Sequence, residues 1–197
     1  MIGPFDYLFL TLIGAGPLQR RLAQALAAAR SAAGADPAWL FTPQLGWAGN
    51  EAAVLTPGGN PDALVKALGD LVAAATHERL SPTVRPTDGA VPQPGGIYVH
   101  RWFTVGLGDV SEFIALSAQA WPSFEKQFEA KIFGLFQADR SADDMAKGQV
   151  RLLLLTRYRD HGVWEASRDP TSDAMQIFAR RQAITRWTRG CSTLLAA

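Results

Sequence analysis

One order of elements is written twice along this chain, and a proline- and glycine-rich bridge, residues 82–96, separates the copies. Each copy opens on a short apolar run, residues 5–13 and then 97–105, of the kind that forms a strand covered on both faces. A helical segment follows each run, starting at Pro17 in the first copy and at Asp109 in the second, and the spacing from strand to helix is the same in both. The first helix carries Leu18, Leu22, Leu26 and Ala29 on one stripe. Residues 39–41 and 52–55 then read as a hairpin through the turn at 46–50. Asn60, Pro61 and Asp62 give a cap, a first-turn proline and an acid on the helix dipole, and the helix they start runs through Leu64, Leu68, Leu71 and Ala75. A strand at 79–84, weakened by Pro82, closes the copy.

The second copy repeats the scheme with more aromatic residues. Asp109 and Glu112 have capping-box spacing, and Val110, Phe113, Ser117, Trp121, Phe124 and Phe128 line one face of the helix that follows, with a kink expected at Pro122. Strands at 131–137 and 150–158 pair across a polar tip or lid at 139–148. A helix over 163–186, interrupted at Asp169-Pro170, leads to a last strand at 190–195.

A strand-helix-strand-strand-helix-strand unit makes four antiparallel strands with both helices on one side, which leaves the other sheet face bare. Two units in one chain can bury those faces against each other. The expected fold is α+β: two tandem ferredoxin-like βαββαβ units, residues 1–85 and 97–197 joined by a linker at 86–96, forming an intramolecular pseudo-dimeric α/β barrel.

Composition narrows the partners. A net charge of +1 with 19% charged residues does not supply the massed cations that a phosphate backbone requires, so nucleic acid is not expected as a partner. The run at 5–13 is shorter than a membrane span and lacks a preceding basic residue, so no membrane association is expected. One cysteine, Cys191, excludes an internal disulfide and any multi-cysteine metal centre, and His77, His100 and His161 lack metal-site spacing. The expectation is a cytoplasmic protein without metal or cofactor, able to form a homo-oligomer. Gly14-Ala15-Gly16 is not a nucleotide loop, because Gln19 stands where the third glycine belongs and the unit is not a parallel βαβ.

The residues that carry chemistry concentrate in the second copy. Trp102, Trp121, Phe124, Phe133, Phe136 and Trp164 are dense enough to wall an apolar pocket between sheet and helices, although large aromatics equally fill ordinary cores. His100 shares a strand face with Tyr98 and Trp102, while Arg101 points the other way. An imidazole with a reference pKa of about 6.5 is suited to act as a general base, which makes His100 the candidate catalytic residue. The alternative is a histidine hydrogen-bonded within the core. Cys191, in an apolar strand, reads as an inert buried thiol. Arg180, Arg181, Arg186 and Arg189 read as a solvated helix face with cations near the helix C-terminus.

The stretch Tyr98-Val99-His100-Arg101-Trp102-Phe103-Thr104-Val105, followed by Gly108 and Glu112-Phe113, resembles the NIPSNAP family of the dimeric α/β-barrel superfamily. The wider superfamily includes cofactor-free monooxygenases, isomerases, decarboxylases and haem-binding tandem-repeat proteins. That resemblance implies a buried ion pair or a substrate carboxylate for Arg101, and it makes His161 the position to consider for a haem ligand. The functional expectation is a protein that binds a small apolar or aromatic molecule in its C-terminal half, with Tyr98, Arg101, Trp102, Trp121, Phe124, Phe136 and Trp164 as ligand contacts. Cofactor-independent oxidation or isomerisation with His100 as base is the catalytic form of that expectation. The alternative is a non-catalytic interaction or scaffold protein of NIPSNAP type.

Overall fold

A computed structural model describes residues 3–14 and 18–196. The proposed helix start at Pro17, and Ala15 and Gly16 of the glycine turn, lie outside the described residues. The first half comprises β1 (Phe5–Leu12), α1 (Leu18–Ala32), β2 (Trp39–Leu45), β3 (Glu51–Thr56), α2 (Pro61–Leu68) and β4 (Val72–Pro82). The second comprises β5 (Ile97–Gly106), α3 (Val110–Gln127), β6 (Ala130–Ala138), α4 (Ala142–Ala146), β7 (Gln149–Tyr158), α5 (His161–Ala166), α6 (Asp173–Ala183) and β8 (Thr185–Leu195).

All eight strands close into one antiparallel barrel in the order β1-β3-β2-β8-β5-β7-β6-β4. Each half contributes four consecutive strands, and the halves meet where Phe41 of β2 pairs with Leu195 of β8 and where Leu80 of β4 pairs with Ala138 of β6. This is the arrangement in which two ferredoxin-like sheets hide their bare faces together.

Alternation along the strands then builds three cores instead of one. Leu8, Leu10 and Leu12 point outward under α1 and α2, while Val99, Phe103 and Val105 point outward under α3 and α6. Phe5, Tyr7, Phe41, Leu55, Tyr98, Phe136 and Leu153 fill the barrel interior. Both faces of the sheet are therefore apolar, which explains the uninterrupted hydrophobic runs at its central strands.

Several boundaries differ from the sequence expectation. The helix begun by Asn60 stops at Leu68, because Gly69 adopts φ +56° and turns the chain through a short 3-10 segment into β4. Ala75 is consequently a strand residue, and β4 starts well before residue 79. Asp109 makes no capping bond to α3: its backbone is helical, not extended, and it ends a 3-10 turn that already feeds the helix. The capping box is found elsewhere, between Ser141 and Asp144, and it converts the supposed hairpin tip at 139–148 into the short helix α4. α3 runs unbroken through Pro122.

Arg151 ties α4 into the barrel. Its Nε donates to Asp144 Oδ2 at 2.9 Å and its Nη atoms grip the Glu78 carboxylate of β4, so one guanidinium spans the seam between the halves. Burial raises the pKa of Asp144, but hydrogen bonds from Arg151, Gln149 and Ser141 outweigh it and hold the carboxyl below its usual range.

Candidate functional site

The two faces of β5 lead to two different places. Tyr98, His100 and Trp102 look into the barrel, as their alternation requires, and Arg101 faces the helices. Phe136 and Phe133 belong to the barrel interior, whereas Trp121, Phe124 and Trp164 belong to the layer under α3 and α6. The expected ligand contacts are thus divided by the thickness of the sheet. Phe133 and Phe136 share a face despite their odd spacing because the β6–β7 register slips between Ile132 and Gly134.

Inside the barrel, His100 is 1% exposed and both ring nitrogens are engaged: Tyr7 Oη lies 3.0 Å from Nδ1 and Thr193 Oγ1 lies 2.9 Å from Nε2. The Thr193 hydroxyl gives its own proton to the Tyr98 carbonyl at 3.2 Å, so it accepts from His100 Nε2–H. Nδ1 is then the acceptor and Tyr7 the donor. This directed chain fixes the tautomer, and burial pushes the His100 pKa down to about 3. Burial likewise pushes the Tyr7 phenol up. The ring is packed edge-on by Phe41 and Trp47. Beside the chain is an interior cavity of about 510 Å³, bounded by Phe9, Trp47, Trp102 and Cys191 and rimmed by Glu51 and Arg189. Cys191 is buried, with its Sγ 3.4 Å from the Gly46 carbonyl.

On the helix side, a cavity of about 370 Å³ sits between the outer face of β5, β6 and β7 and the helices α3 and α6. Its apolar floor is Val99, Ile132 and Leu154, with Phe124 and Phe178 as walls. The 167–172 connection between α5 and α6 supplies Ser167, Arg168 and Pro170 to the rim. Of the expected contacts, Arg101 and Phe124 line this cavity; Trp121 and Trp164 stand in the surrounding layer.

The reading of Arg180, Arg181, Arg186 and Arg189 as one solvated helix face fails at three of them: Arg186 and Arg189 stand on β8, and Arg181 is buried. It is 4% exposed, not solvated, and its guanidinium lies over Phe178, Phe103 and Phe113 at 4.3, 4.9 and 5.2 Å from the ring centroids. Periodicity carries the signal: Ala174, Ile177, Phe178 and Arg181 share one stripe of α6, so Arg181 lies on its inward face. Burial, and after it the neighbouring Arg101, lowers the Arg181 pKa to about 9. Arg101 is lowered chiefly by burial as well. The ion pair expected for Arg101 is absent among the described residues, and Arg168 and Arg181 also lack one there. Arg168 stacks on Trp164 at 4.8 Å.

His161, the position considered for a haem ligand, does not line this cavity. It is turned elsewhere, its Nε2 lying 3.0 Å from Ser192 Oγ. Among the described residues no cluster of His, Cys, Asp or Glu could hold a metal ion, and no helix is long and apolar enough to cross a membrane.

No family model and no curated protein matches this chain. Solved structures do. An anthrone oxidase-like protein superposes with a TM-score of 0.63 at 13% identity, over 98% of this chain and 92% of the other. A haem-binding protein from Thermus thermophilus gives 0.53 at 10% identity over 99% and 92%. A NIPSNAP domain protein from Burkholderia xenovorans covers 51% of this chain and 95% of its own length, at 17% identity with a TM-score of 0.40. At such identities the likeness is one of architecture, and what the chain shares with the full-length matches is the ferredoxin-like α/β-barrel fold, closed here within one polypeptide.

Proposed function

We propose that the protein binds a small apolar or aromatic molecule in the cavity between the second sheet and helices α3 and α6. The observation that carries this reading is the cavity of about 370 Å³ between the apolar outer face of the sheet and helices α3 and α6. Its size falls within the range of about 300–1,000 Å³ typical of small-molecule sites. Apolar walls supply the driving force for an apolar guest, and the exposed residues Arg168, Pro170 and Ala179 place its mouth at the surface.

Binding is better supported than turnover. His100 lies across the sheet from this cavity, and Tyr7 already occupies the nitrogen that would act as base. A general base must reach the proton it removes, and His100 does not reach this site.

Titration with the neutral fluorescent probe N-phenylnaphthylamine tests the reading. Enhanced emission in the wild type, abolished when Ala179→Trp plugs the mouth without touching the buried core, is the expected result. Unchanged binding by the plugged variant would move the site elsewhere.

A further inference from the structure

Three guanidinium groups reach an apolar cavity that contains no carboxylate. Arg168 stands at the mouth, Arg101 is half-buried in the wall and Arg181 is buried beside the floor. Of the five N–H groups on Arg181, the described residues offer an acceptor to one, where Nη1 donates to Ser117 Oγ at 3.1 Å. Cations held this way are normally paired, because desolvating an uncompensated charge is costly. The aromatic rings around Arg181 recover part of that cost but accept no hydrogen bond in the plane of the guanidinium.

We propose that the natural ligand is an organic carboxylate with an aromatic or alicyclic body, its anionic head held by Arg101, Arg181 and Arg168 and its body against Val99, Leu154 and Phe124. This rests on the reading of the cavity as a ligand site and adds the charge of the ligand to it. A carboxylate fits better than a phosphate. Phosphate sites draw on glycine turns and free backbone N–H groups at helix N-termini; no glycine lines this wall, and in the first turn of α6 the N–H groups of Met175 and Gln176 are already taken by Ser172 Oγ and the Ser172 carbonyl. Arginine forks match a planar carboxylate with two parallel hydrogen bonds. The guest also relieves the mutual repulsion of Arg101 and Arg181, a repulsion that contributes to the lowered pKa of Arg181.

The test compares naphthoate with naphthamide, which have the same body and shape but differ in charge, by isothermal titration calorimetry on the full chain. Naphthoate should bind roughly 10- to 100-fold more tightly than naphthamide, as expected for one or two charge-assisted hydrogen bonds. Arg101→Met and Arg168→Met should each weaken naphthoate more than naphthamide and so shrink that ratio. Arg181→Met should weaken naphthoate binding without lowering the melting temperature, since it removes an unpaired buried charge; a purely structural arginine would show the opposite pattern. Equal affinity for acid and amide in the wild type would refute the carboxylate but keep the apolar site. Binding of neither compound, with the neutral probe also silent, would overturn both.

Discussion

His100 makes the stability of this barrel depend on pH in a definite direction. In the unfolded chain its pKa is about 6.5. In the fold, burial pushes it down to about 3. Between those values the unfolded chain carries a proton that the folded chain refuses, so stability falls as the pH falls, by up to about 1.4 kcal/mol per pH unit. Near pH 5, roughly one and a half units below the unfolded pKa, the loss from this one ring is about 2 kcal/mol, and it approaches its limit only near pH 3. Above about pH 7 the contribution is fully present. The comparison variant is His100→Gln, which keeps a donor and an acceptor between Tyr7 and Thr193 and removes the titration. Urea unfolding of both proteins near pH 7.5 and near pH 5 should show the wild type losing about 2 kcal/mol more than the variant over that interval. Curves that fall in parallel, with a constant offset between the proteins, would mean that His100 is protonated without difficulty in the fold, and the directed Tyr7–His100–Thr193 chain would have to be abandoned.

Two further perturbations address the frame around the sites. Arg151→Met strands the buried Asp144 carboxylate and releases Glu78 across the seam; a loss of about 2 kcal/mol in denaturant unfolding is expected, less than a fully buried pair because Arg151 and Glu78 are partly exposed. A double-mutant cycle with Asp144→Asn should recover part of that loss as coupling, and strict additivity would count against the bridge. Gly96→Ala should cost at least about 2 kcal/mol, because φ is +71° and the new methyl would meet the Tyr158 carbonyl oxygen, whereas Gly108→Ala, with open space at its Cβ, should be nearly silent.

The barrel was legible because its cause is local and repeated. Each copy needs four strands and two helices on one side, and Phe5, Tyr7 and Tyr98 are apolar on the face that those helices cannot cover. What failed were the ends of elements, where one residue's backbone decides the outcome. Gly69 ends α2 by a positive φ that apolar periodicity at Leu71 and Ala75 does not reveal. Ser141 and Asp144 form the cap that Asp109 and Glu112 have the spacing for, because Asp109 is already wound into a turn.

The side chains of the candidate site were legible by face but not by layer. Alternation correctly puts His100 with Tyr98 and Trp102 and sets Arg101 opposite them. It does not say which face meets helices and which meets the other half, since a sheet closed into this barrel is apolar on both. Pooling Trp102 and Phe136 with Trp121 and Phe124 was the consequence, and the slip at Gly134 hid the common orientation of Phe133 and Phe136. Charge misled in the same way at α6. Arg180 and Arg181 are adjacent in sequence, yet a helix turns about 100° per residue, which leaves Arg180 in water and carries Arg181 onto the stripe of Phe178. Arg181 thus ends up on an apolar helical stripe beside the cavity, with Ser117 Oγ as its hydrogen-bond acceptor among the described residues and no acid opposite it.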